Sequence, residues 1–485
     1  MPTTNGLQGK LPKLLESLEI KELRRLEEYL SSPFHNKNER LRKFFGILRK
    51  VHPHYHKLTK QQLFQKMYPK KKVYKDSDIR VLASDLTKHI NKFLTLQEFE
   101  KAPMQQDYLL LEALASRNIA NTFQNTWEKI KKKLEEAPQG LDYYFYRYKY
   151  EEIAYRFTTI HNNRHIQIGL QQAADNLDKY YLTNKLSYFV FMLNRQQVLN
   201  VPHQYYLLDD LLQLVETEPT FQEPAIRLRY LTVLALRNLN DESYYEPWKV
   251  FLVEHQDEFP PYELKQFYQI IVNYCLWKTN KGLNQFRRET FYWYKCMIER
   301  GFHYTGKNSR AKLISPHHYR NFVKIALELK EYDWAKNFML KYKEEVDPAF
   351  RDNVFRHNKA NYHFSKGEFN EAADTLKEIS FSGQEFIDFY YHIYYKSLLL
   401  RVAYELEETE LFLATLHSLE LYLRRHKNIA PRFRKSYLNF IAVIRKIQNK
   451  KEGKSIYSPN LAEYIEAQSP LVDKEWLFEK AKELN

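Results

Sequence analysis

Two stretches 37 residues apart restrict this chain more than any other feature: Lys330-Glu-Tyr332-Asp-Trp-Ala335 followed by Met339, and Gly367-Glu-Phe369-Asn-Glu-Ala372 followed by Leu376. In each, an aromatic is followed three positions later by alanine and four beyond that by an apolar residue. On a helix these positions share one face, and the small residue lets a second helix approach the preceding one closely. Both stretches therefore read as the same joint between two helices. An array of such joints is defined by how its units stack, so it speaks more to architecture than to chemistry.

The rest of the chain agrees with helices. Only 11 of 485 residues are glycine, so few positions can take positive φ and few hairpins are expected. The chain carries 38 Tyr, 31 Phe and 6 Trp. Tyrosine suits an elongated array, because its ring packs while its hydroxyl reaches water or backbone. Capping residues and prolines place helix pairs at 105–117, 121–136, 141–159, 164–180, 183–199, 204–217, 222–237 with 245–256, and 261–279 with 283–299. After Ser315-Pro316 come 317–329 with 332–345, 351–365 with 369–379, and 386–405 with 408–425. Ala414 stands there as the small residue, and a last helix follows at 431–449. Asp473 is expected to cap a tail helix, with Trp476, Leu477 and Phe478, that covers the end of the array.

Residues 317–380 resemble the tetratricopeptide repeat, a helix pair of about 34 residues. In that family a Gly, an aromatic two later and an Ala three after that open the second helix, as Gly367, Phe369 and Ala372 do here. Lys330, Tyr332 and Ala335 occupy the same places with Lys where Gly is usual, and the first-helix Trp position reads Tyr319 and then Arg356. The resemblance implies that first helices line an inner surface. The expected partner groove is therefore Tyr319, Asn321, Arg356, Asn358 and Tyr362.

Charge is concentrated at the start. Of the net +15, residues 1–100 carry +10 (21 Lys and Arg against 11 Asp and Glu), and Lys37–Arg80 alone carry +11. An acidic partner for this head follows: nucleic acid, an anionic membrane surface or an acidic protein. A capping box at Thr59 and Gln62 opens a short helix that Pro69 ends. Asp76 or Ser77 then caps a longer one with Ile79, Leu82, Leu86, Ile90, Phe93 and Leu94 on one face. Residues 59–96 thus resemble a helix-turn-helix in outline, although the turn is long and lacks glycine. Within the nucleic-acid reading, spanning residues 37–92, Lys70, Lys71, Lys72, Arg80 and Lys88 are the anion-binding residues.

Motifs for chemistry are missing. No closely spaced glycines form a phosphate loop, and Cys275 and Cys296 have no second pair to complete a metal site. His161 and His165 stand four apart but beside a turn-like Asn162-Asn163 and without a third ligand. The aromatic runs Tyr143–Tyr150 and Phe389–Tyr395 are read as packing rather than base-stacking platforms. No catalytic residue, cofactor or metal is expected. No apolar run approaches the roughly 20 residues of a membrane span, no secretory signal is read at the N-terminus, and a cytoplasmic protein is expected.

The sequence thus predicts an all-α protein. A basic helical head occupies 1–100, irregular helix pairs 101–315, tetratricopeptide-like repeats 316–450, and a linker with a capping helix 451–485. The helix pairs are expected to be antiparallel and to wind as a right-handed α-solenoid. Its expected role is a non-enzymatic scaffold for a protein or peptide partner, with nucleic-acid regulation through the head as the alternative.

Overall fold

The computed structural model describes residues 6–160, 169–199, 201–304, 312–380, 389–426, 429–454 and 460–484. Their regular structure is helical: 23 α-helices, five short 3-10 segments, and one isolated bridge between Ile314 and Val346. The chain divides into two compact units. One is drawn from Met1–Phe189, Leu207–Thr232 and Glu246–Phe259, the other from Val190–Tyr206, Val233–Tyr245 and Pro260–Asn485.

In the first unit the head comprises α1 (Lys10–Glu16), α2 (Ile20–Ser31), α3 (Glu39–Arg49), α4 (Lys60–Met67) and α5 (Asp76–Glu100). Helix α5 packs on the other four. Its apolar stripe, Ile79, Leu82, Leu86, Ile90 and Phe93, is buried against Leu15, Leu26, Phe45 and Leu63. Thr59 and Gln62 form the expected capping box of α4, and Asn38 accepts from the Arg40 amide to cap α3. Helix α5, expected to be capped by Asp76 or Ser77, instead begins at Asp76 with Lys75 at the N-cap and no side-chain cap bond.

Next come α6 (Pro103–Ser116), α7 (Ala120–Glu135), α8 (Leu141–Ile160), α9 (Leu170–Leu199), α10 (Leu208–Thr217), α11 (Pro224–Arg237), α12 (Tyr245–His255), α13 (Pro261–Asn280) and α14 (Gln285–Glu299). Helix α6 packs on both α7 and α8, and α13 pairs with α14. The expected break between 180 and 183 does not occur. Leu182 and Thr183 are fully buried, and the Ser187 hydroxyl donates to the Thr183 carbonyl at 2.8 Å, so the helix runs on through α9. In the dense ring cluster of α8, Tyr143, Tyr144 and Tyr150 are buried and Phe145, Tyr146 and Tyr148 half-buried, and the Tyr150 hydroxyl donates to the Met104 carbonyl at 2.8 Å.

The second unit continues with α15 (Pro316–Glu328), α16 (Tyr332–Tyr342), α17 (Arg351–Ser365), α18 (Phe369–Lys377), α19 (Phe389–Glu405), α20 (Thr409–Arg425) and α21 (Pro431–Lys451). Neighbours pair, α15 with α16, α17 with α18 and α19 with α20, while α15 also packs on α17 and α17 on α19. These helix pairs are compatible with a helical repeat. The tail adds α22 (Leu461–Ala467) and α23 (Lys474–Lys482).

One joint recurs through both units. Asn118, Gly282, Gly301, Lys330, Gly367, Glu407 and Gly453 all have positive φ. After each, the next amide donates to the carbonyl five residues back, at 2.7–3.2 Å, as Glu331 does to Ala326 and Glu368 to His363. This is the hydrogen-bonding pattern that stops a helix with a left-handed residue and turns the chain into the next one. Ala335 and Ala372, five residues past the joint, are fully buried, with Met339 and Leu376 beside them and Tyr332 and Phe369 half-buried at the helix starts. Counted from Glu407, the matching places in the third pair are Phe412 and Leu416, both buried. Ala414, expected there as the small residue, is exposed.

Candidate functional site

Helices α15, α17, α19 and α21 share a stripe of rings and cations, with His357 and Tyr391 buried in it and His317, Arg320, Tyr390, Tyr394 and Phe433 half-buried. On α15, Ser315 caps the helix by accepting from the His318 amide at 3.1 Å. The Arg320 guanidinium lies over the Tyr394 ring, 3.7 Å from its centroid. The His317 ring meets Tyr390, Tyr391 and Tyr394 at 5.8–6.4 Å between centroids. From α17, His357 packs on Tyr391 and Tyr394, and burial first, then the neighbouring Arg320 charge, push its pKa down to about 3. From α21, Phe433 packs on Tyr390 and Tyr394.

None of the five residues expected in the groove belongs to this stripe. Tyr319 is fully buried and its hydroxyl donates to the Met339 carbonyl at 2.8 Å; Asn358 is 1% exposed and bonds back to the Val354 carbonyl. Arg356 turns to Glu378 at 3.3 Å, and Tyr362 meets Tyr332 edge-on, so both address second helices. Asn321 is half-buried on α15. The stripe itself runs through Arg320 and His357, one position from Tyr319 and Asn358. A one-residue slip on a helix turns the face by roughly 100°.

The tail packs on α17, α19 and α21 through residues outside this stripe. At the α23 start, Asp473 takes the N-cap position but makes no capping bond. Its carboxylate instead lies 3.5 Å from Arg401 of α19. Burial alone would raise Asp473, but Arg401, Lys324 and Arg320 together hold it below the ordinary carboxylate range. Glu475 pairs with Arg287 of α14 at 2.6 Å. Trp476 donates from its indole nitrogen to Glu405 at 2.6 Å, with its ring among Phe364, Tyr404 and Phe440. Lys480 also reaches Glu405, at 3.1 Å. Burial opposes its charge, but the hydrogen bonds to Glu483 and Glu405 win and raise its pKa to about 12. The tail therefore contacts α14, α17, α19 and α21, where the sequence suggested that it covers the end of the array.

In the head, Lys70, Lys71, Lys72, Arg80 and Lys88 are all exposed. Three of them are engaged internally: Lys71 with Asp78 at 2.9 Å, Arg80 with Asp76 at 2.8 Å, and Lys88 with Asp85 at 3.1 Å. The connection from Tyr68 to Lys75 is longer than a compact helix-turn-helix turn.

Elsewhere the polar clusters are structural. Tyr245 takes hydrogen bonds from Cys275 at 3.5 Å and Trp293 at 3.1 Å and donates to Glu289 at 2.7 Å, with its pKa raised chiefly by burial. Cys275 is fully buried, and burial raises the Cys296 thiol. The His161 and His165 pair lies outside the described residues. Among the described residues no cluster of three or more His, Cys, Asp or Glu is placed to hold a metal, and no helix is long and apolar enough to cross a membrane. Family models, curated proteins and solved structures yield no match to this chain.

Proposed function

We propose that this chain is a non-enzymatic, cytoplasmic interaction protein, a tetratricopeptide-like solenoid of antiparallel helix pairs that binds an acidic, aromatic helical segment of a protein partner. The single observation that supports this reading is the seat of the tail. Two carboxylates, Asp473 and Glu475, meet Arg401 and Arg287, and a tryptophan enters a ring-lined recess. Arginine and tryptophan in such arrangements dominate helix-in-groove recognition. The surface made by Arg287, Arg401, Phe364, Tyr404 and Phe440 thus has the chemistry to hold a segment of this kind, and the tail is its occupant in cis. For the head, nucleic acid has less support, because Lys71, Arg80 and Lys88 are already held by carboxylates of α5.

Exchange tests the reading. A labelled peptide of residues 460–484 should bind the full-length Asp473→Ala, Trp476→Ala variant, and bind the parent about tenfold or more weakly, since the tethered tail competes at high effective concentration. If that variant keeps its helical circular dichroism and yet ignores the peptide, the seat of the tail is ordinary core packing rather than a binding surface.

A further inference from the structure

A second site stands in the head, independent of the array. The loop between α2 and α3 is fixed by Asn36, which is 9% exposed: its amide nitrogen donates to the Leu30 carbonyl at 2.8 Å and the Asn38 carbonyl at 3.2 Å, and its oxygen accepts from the Asn38 amide at 2.9 Å. This loop carries His35 and Lys37 to one side of a cavity of about 530 Å³. Asp85, Lys88, His89 and Lys92, one face of α5, form the other side. Buried Tyr29 orients both imidazoles, stacked on His35 at 4.4 Å and edge-on to His89 at 6.1 Å.

Charge in this cavity is one-sided. Asp85 is the sole carboxylate lining it and is taken by Lys88 at 3.1 Å. Among the described residues, neither Lys37 nor Lys92 has a carboxylate within ion-pair distance, and His89 Nδ1 is buried with no hydrogen-bond partner. Burial, and then the charge of Lys92, hold the His89 pKa below its ordinary value, which leaves a neutral ring with polar capacity unused. Ammonium groups converging on a cavity repel one another unless an anion sits between them. We infer that this cavity is a binding site for a phosphate group, held by Lys37 and Lys92 from opposite sides with His35 and His89 as hydrogen-bond partners. The group arrives either on a small soluble ligand or as a phospholipid headgroup, and both present the same terminal oxygens.

Pyrophosphate titrated calorimetrically into the full-length protein in chloride buffer is the direct probe. The Lys37→Ala, Lys92→Ala variant should bind it about tenfold or more weakly, from the loss of two charge-assisted bonds. Lys129→Ala, Lys132→Ala, which removes the same charge from exposed positions of α7, should bind as the parent does. The His89 ring resonances should shift on saturation. A parallel arm floats the protein with phosphatidylcholine vesicles with and without phosphatidate. Pyrophosphate binding without vesicle recruitment assigns a soluble ligand; recruitment that needs phosphatidate and Lys37 with Lys92 assigns a headgroup. Equal losses from the two lysine pairs would replace the site with diffuse charge. No binding in either arm would overturn it.

Discussion

Lys330 holds φ at +60°, in a conformation that an L residue other than glycine adopts at a cost of about 1–2 kcal/mol. It stays there because the amides of Lys330 and Glu331 are both spent on closing the preceding helix, at 3.0 and 2.9 Å. Lys330→Gly should therefore stabilise the protein by about 1 kcal/mol, offset in part by the extra freedom of glycine when unfolded. A rise in the denaturation midpoint with an unchanged m value is the measurement. Gly367→Ala, at φ +79°, should move it the other way by a similar amount. His357 gives a second prediction. It is 2% exposed and its pKa is depressed to about 3 in the folded chain, so the unfolded chain takes up the proton first. Above about pH 6.5 it contributes no pH dependence. As pH falls from there towards 3, stability should drop by up to about 1.4 kcal/mol per unit from this residue. His357→Gln should flatten that part of the profile, and an unchanged slope in the variant would assign the dependence to His303, whose pKa burial lowers to about 4.

Among the elements, α23 has the most exposed stake in its neighbours. Trp476 fills a recess between three rings and satisfies its indole N–H on Glu405. Its truncation to alanine should cost about 2–3 kcal/mol, below the value for a fully enclosed tryptophan because the ring is only half-buried. Denaturant unfolding measures this. Trp476→Phe should recover most of the packing but not the Glu405 bond. The helices themselves were largely legible in the sequence, since caps, prolines and left-handed joints act through bonds within a few residues of each other. The face each helix turns inward was less so. Helix α19 carries rings nearly all round, so periodicity could not separate Arg320 and His357 of its neighbours from Tyr319 and Asn358. Nor could the polar Thr183 and Asn184 announce that α9 passes straight through them, because tertiary burial of Leu182 and Leu186 decides that point. The phosphate cavity was half legible: Lys88 stood out by charge, whereas His35, Lys37, His89 and Lys92 come together only through the loop that Asn36 fixes.

For the molecule as a whole, +10 of the net +15 sits in its first 100 residues, yet formal charge overstates what the head can offer a polyanion. With Lys71, Arg80 and Lys88 already held, Lys70 and Lys72 are the members of that set left for phosphates on a duplex. Binding to duplex DNA measured against salt should then show a log–log slope near −2, roughly a tenfold loss between 50 and 200 mM. A slope near −5 would mean that the carboxylates of α5 give up their lysines and arginine to the nucleic acid.

The ion pair between Arg287 and Glu475 joins residues 188 apart. At ordinary synthesis rates of about 5–20 residues per second, that separation amounts to roughly 10–40 s on the ribosome. The recess itself is complete only once Phe440 is made, 36 residues before Trp476, or roughly 2–7 s at the same rates. Arg287 thus waits longest for its carboxylate, while the greasy furrow is bare only briefly before its own tryptophan arrives.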